Sequence, residues 1–112
     1  MNLEISNFSK ALDGQHFDKW NIFAIEEHNS GYYFKARNKP HSEKHSPGCI
    51  AVLVEIDRNE RTDGTYFIKI SYETYSNTIY KGFHTKKEIA NKVGFFRLLT
   101  EQIDKHESTK KL

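Results

Sequence analysis

His41, His45 and Cys49 recur at intervals of four in one polar segment, and imidazole and thiolate are donor types that tetrahedral zinc accepts. An interval of four aligns donors only on a helix, and Pro40 and Pro47 oppose a helix there. No Cys-x-x-Cys pair or second thiolate completes the set, so no metal and no cofactor is expected. Six histidines (His16, His28, His41, His45, His84 and His106) could serve as general bases. None lies in a nucleophile elbow, a Gly-rich phosphate loop or a paired-histidine metalloprotease motif, and ordinary surface positions account for all six. Two carboxylate pairs, Glu26/Glu27 and Glu55/Asp57, carry oxygen donors that suit a divalent cation. Adjacent Glu26 and Glu27 point to opposite faces of a strand and cannot share one. The expectation is a protein without a catalytic site.

The elements that must position these residues follow from pattern. Ile5, Phe8 and Leu12, spaced by three and four, predict a short helix over 5–13 that stops at Gly14. From Trp20 the runs WNIFAIEEH and GYYFKARN, separated by Asn29-Ser30-Gly31, predict a first hairpin. Residues 38–49 hold two Pro, one Gly and a crowd of charged or His side chains, so they form a loop. CIAVLVEID is apolar on both parities for most of its length, the pattern of a central strand. Asp63-Gly64 turns the chain into TYFIKISYE, with Tyr66, Ile68, Ile70 and Tyr72 on one face and Phe67, Lys69 and Ser71 on the other. A last strand over 77–83 precedes Thr85-Lys86-Lys87-Glu88, a capping box that opens a helix. Ile89, Val93, Phe96, Leu99 and Ile103 form its apolar stripe. Gly94 marks a bend or the junction of two helices. From Asp104 a frayed, charged tail is expected.

Twenty-seven of 112 residues, about 24%, are Leu, Ile, Val or Phe, enough for one core and too few residues in all for two. The expected fold class is α+β: a single domain over 1–103, with an antiparallel sheet of about five strands, a short N-terminal helix and a C-terminal helix packed on one face. Seventeen Lys and Arg against fifteen Asp and Glu leave a net charge of +2, which excludes both a histone-like polycation and an acidic nucleic-acid mimic. The single Cys49 and the lack of a leader-like apolar run point to the cytoplasm, and no apolar stretch is long enough to span a membrane.

Two local patterns concern nucleic acid. KKEIANKVGFFRLLTEQI resembles the two-helix core of a helix-turn-helix, with Gly94 at the turn and Arg97, Thr100 and Gln102 as base readers. FFRLL departs from that pattern, because a recognition helix presents polar side chains, and strand-like IYKGF replaces the helix that should precede it. GTYFIKISYETYSNTIYKGFHTKKEIANK, about 30 of the 112 residues, resembles the β-β-β-α unit of the arm-binding domains at the N-termini of tyrosine integrases. That resemblance implies Phe67, Lys69, Ser71 and Lys81 facing a major groove, with Lys86 and Lys87 near phosphates.

A third pattern is aromatic. If the C-terminal helix covers the Tyr66 face, Phe67 and Tyr33 form an open patch on the other side unless the N-terminal helix or Trp20 covers it. Balanced charge, an aromatic sheet and the absence of catalytic motifs together predict a protein-binding module acting by steric occlusion. The model for it is the small inhibitors and immunity partners carried by phages and plasmids. The runner-up is a DNA-binding accessory protein using the β-β-β-α unit or the C-terminal helices. The candidate partner-binding residues are Tyr33, Lys35, Arg37, Phe67, Lys69, Lys81, Lys86, Lys87 and Arg97.

Overall fold

The computed structural model describes residues 16–17, 19–28, 31–39, 47–74 and 77–110. Six strands lie in sequence order in one antiparallel sheet: β1 (His16–Phe17), β2 (Trp20–His28), β3 (Gly31–Arg37), β4 (Ala51–Asp57), β5 (Thr65–Tyr72) and β6 (Thr78–Thr85). Among the described residues two helices follow, α1 (Lys86–Ala90) and α2 (Lys92–Lys110). The α+β class is as expected, and β1 adds only a two-residue strand to the five full ones. The predicted helix over 5–13 lies outside the described residues.

Period-two burial selects the core face. Tyr32, Phe34 and Ala36 on β3, Val52, Val54 and Ile56 on β4, and Tyr66, Ile68, Ile70 and Tyr72 on β5 are all buried. Ile89 of α1 and Phe95, Phe96, Leu99 and Ile103 of α2 close over them in one cluster. Trp20 belongs to this side too: it is fully buried, and its indole Nε1 donates to Thr100 Oγ1 at 2.9 Å. The opposite face is therefore not covered by Trp20.

The turns behave as their chemistry dictates. Gly64 has φ +81°, a value that favours glycine, and Asp63 Oδ1 accepts from the Thr65 backbone N–H at 3.1 Å. The two described ends of the segment between β3 and β4 are tied together by Asn38, which donates from Nδ2 to the Gly48 carbonyl and accepts at Oδ1 from the Ile50 N–H. The Thr85/Glu88 capping box is present in both directions.

The helical segment differs from expectation in three ways. The junction falls at Asn91, not Gly94, because Asn is a strong N-cap: its Oδ1 accepts from the Gly94 N–H at 3.2 Å. Gly94 sits in the first turn of α2. The break re-phases the apolar stripe, so Val93 is 63% exposed and Phe95 is buried in its place. Finally, α2 does not stop at Ile103 but runs to Lys110, with Lys19 Nζ 2.8 Å from Asp104 Oδ1 and Tyr72 Oη 3.0 Å from His106 Nδ1. No helix among the described residues is long and apolar enough to cross a membrane.

Candidate functional site

The strand registers put Glu26, Tyr33, Glu55, Lys69 and Lys81 side by side in one row across the face turned away from α2. Residues directly opposite each other in an antiparallel pair share a face, so the row follows from register alone. The row beside it pairs Phe67 with Phe83, and on the other side Phe23 pairs with Lys35 and Lys35 with Leu53. Most of these side chains are half-buried, while Phe83 is 49% exposed.

Two aromatic patches mark the ends of this surface. The Phe67 and Phe83 rings lie 5.4 Å apart at 60°, and the Arg61 guanidinium stacks on Phe83 at 4.2 Å from its ring centre. Diagonally across the sheet, the Arg37 guanidinium lies 4.4 Å over the Phe23 ring. Lys35 is tied down at 3.1 Å to Glu73, whose backbone N–H donates to the Ala51 carbonyl. Between the patches a shallow recess of about 220 Å³ is lined by Tyr33, Glu55, Ile56, Asp57 and Phe67. Its two carboxylates belong to β4, whereas Lys69 and Lys81 stand on β5 and β6, so along the Glu55 row the charge turns from acidic on β4 to basic toward the β6 edge, while Lys35 and Arg37 add positive charge on β3.

The structure thus gathers Tyr33, Lys35, Arg37, Phe67, Lys69 and Lys81 onto one face; Ser71 shares their parity but is buried, so it is not presented there. It does not bring Lys86, Lys87 or Arg97 there. The two lysines open α1 after β6, and Arg97 is exposed on α2, the helix that packs on the opposite face. Sequence reasoning missed Phe83, Arg61 and Phe23, and weighed Glu26 and Glu55 only as cation donors and not as part of this surface. The alternation of TIYKGFHT carries the signal for Phe83, since it places Lys81 and Phe83 on one parity.

A second recess, of about 290 Å³, opens on the helix side and is lined by His84, Glu88, Asn91, Gly94, Phe95 and Leu98. Gly82 has no side chain, so the Tyr80 ring lies across it and its Oη comes within 2.7 Å of His84 Nε2. Burial is the main cause holding the Tyr80 phenol above its ordinary pKa, with the Glu88 charge adding to it. Glu88 Oε1 already accepts from the Thr85 N–H at 2.8 Å, and that backbone bond is the leading cause of its lowered pKa. This recess offers one imidazole and a carboxylate committed to capping, with no Ser, Thr or Cys among its lining side chains to act as a nucleophile.

Among the described residues no three His, Cys, Asp or Glu side chains are grouped to hold a metal ion. His41 and His45 lie outside the described residues, and Cys49 is a half-buried free thiol just before β4. Comparison with protein-family models, curated proteins and solved structures gave no match.

Proposed function

We propose that the protein is a non-catalytic binding module that docks a protein surface on the open face of its sheet and acts by occluding what it covers. The observation that carries this reading is the composition of that face: half-exposed Phe83 with its stacked Arg61, a recess bordered by Tyr33 and Phe67, and charges of both signs. Aromatic and Arg anchors within a polar rim are the features that concentrate binding energy at protein interfaces. The sheet is preformed, so docking orders few side chains and costs little entropy.

Nucleic acid is the second reading, supported by Lys69 and Lys81 on the β5–β6 half with α1 and α2 behind the sheet. Glu55 and Asp57 weigh against it, because carboxylates beside the lysines repel phosphates. Affinity capture with nuclease treatment, comparing the wild type with Phe83→Asp, tests both readings. A stoichiometric protein partner that survives nuclease and is lost with Phe83→Asp is expected. Recovery of nucleic acid alone, or a partner indifferent to Phe83, overturns the proposal.

A further inference from the structure

The open face is complementary to itself. Resting on the reading of that face as a protein-docking surface, we infer that one partner it takes is a second copy of this chain, packed sheet to sheet about a two-fold axis. In an isologous dimer each patch meets its own mate in reverse order, so a face can pair with itself only if opposite properties lie on opposite sides of its axis. Here they do. Glu55 on β4 and Lys69 on β5 are neighbours across the ladder. An axis along the strands between β4 and β5 therefore sets Glu55 of each copy against Lys69 of the other, twice per dimer. The same operation carries β6 of one copy over β3 of the other, so Lys81 meets Tyr33 from the same row.

Shape follows charge in the neighbouring row. Phe83, with Arg61 stacked on it, is the most exposed large apolar side chain of this face among the described residues, and its mate under the two-fold lies at the β3 side of the recess, beside Tyr33 and Asp57. A cationic aromatic projection thus meets an acidic, aromatic-lined hollow. Aligned packing of two sheets tolerates this arrangement, since their strand directions normally differ by only about 30°. The overlap takes in four strands, β3 to β6, because β2 of each copy falls beyond the other's β6; about 4.8 Å apart and roughly seven residues long, they cover on the order of 400 Å² in projection. That is below the roughly 800 Å² per partner of a standard interface, so the dimer is a weak, reversible one that a tighter partner displaces.

Sedimentation velocity over about a hundredfold concentration range reads the result. Wild-type mass should rise from one chain toward two. Glu55→Lys and Lys69→Glu should each weaken association by at least about tenfold, because each creates two like-charge encounters per dimer. An equimolar mixture of the two variants should associate again, as one chain then carries two lysines where the other carries two glutamates. Neither chain alone contains the restored pair, so recovery on mixing reports contacts between copies and not the ladder within one.

Circular dichroism checks that both variants fold. If either does not, Phe83→Ser at the half-exposed edge position takes its place, with the same loss of association expected. A wild type that keeps one-chain mass at every concentration overturns the inference, as do folded variants that dimerise normally or a mixture that stays monomeric. A monomeric wild type that still captures another protein through Phe83 overturns self-association alone. A dimer unaffected by Phe83, Glu55 and Lys69 removes the open face from both readings.

Discussion

Tyr72 Oη lies 3.0 Å from His106 Nδ1, joining the end of β5 to the last turns of α2 across 34 residues of sequence. The rings meet at 5.4 Å and 55°. Glu107 also hydrogen-bonds the phenol. This contact is one reason α2 continues beyond Ile103.

Replacing Tyr72 with Phe keeps the ring in the core and removes both bonds. A loss of about 1–2 kcal/mol is expected, seen as a lower Tm. Amide exchange should accelerate first over 104–110, because that stretch is the end of α2 that the contact ties to β5. Uniform acceleration across the sheet would contradict the role given to this contact.

Tyr72 also sets an alkaline limit. Burial, reinforced by the Glu107 charge and hydrogen bond, pushes its phenol from 10.0 up to about 12. The folded-state value is raised, so the fold favours the neutral phenol. Its stabilising contribution is complete below the ordinary phenol value and is lost as pH rises through about 12. An ultraviolet titration should show one phenolate appearing last, and Tyr72→Phe should abolish that step.

Asn91 determines where α1 ends and α2 begins. Asn91→Ala should cost about 0.5–2 kcal/mol, while Asn91→Ser or Asn91→Asp should retain most of the stability, since each still offers an oxygen to the Gly94 N–H. Equal loss in all three variants would show that the carboxamide acts through packing and not as a cap. Chemical denaturation with matched slopes decides between these outcomes.

Trp20 is the only tryptophan and is fully buried against α2, so its emission should be blue-shifted and should move to the red in one step with unfolding. Trp20→Phe removes the indole bond to Thr100 and leaves a small void, for an expected cost of about 2–3 kcal/mol. Thr100 keeps its own bond to the Phe96 carbonyl at 3.0 Å, so α2 should stay helical by circular dichroism.

Much of the sheet was legible in the sequence because its signals are local. The alternation in TYFIKISY, the apolar run of AVLVEID, the Asp63-Gly64 turn and the Thr85/Glu88 box each act within a few residues, and the structure makes strands, turn and cap of them, although burial in AVLVEID alternates where its sequence is apolar on both parities. The site was legible by parity for Phe67 and Lys69, while Lys81 was named only through the resemblance to the β-β-β-α unit. Phe83 and Arg61 were missed because their meeting joins the turn before β5 to a residue on β6. Gly94 drew the junction away from Asn91 because glycine is the louder breaker, although a side chain that accepts the third N–H decides the matter.

The sequence by itself determined which segments form β2 to β6, where a turn such as Asp63-Gly64 falls and which parity of TYFIKISY is apolar, since period-two burial and turn preference need only near neighbours. Only the tertiary structure decided which face α2 covers, and with it that Trp20 lies inside while Tyr33, Glu55, Lys69 and Phe83 share the other side. That choice depends on the phase of α2 after Asn91 and on contacts such as Trp20 with Thr100, made between groups 80 residues apart. Such contacts form only once the whole core assembles, so no window of sequence contains them.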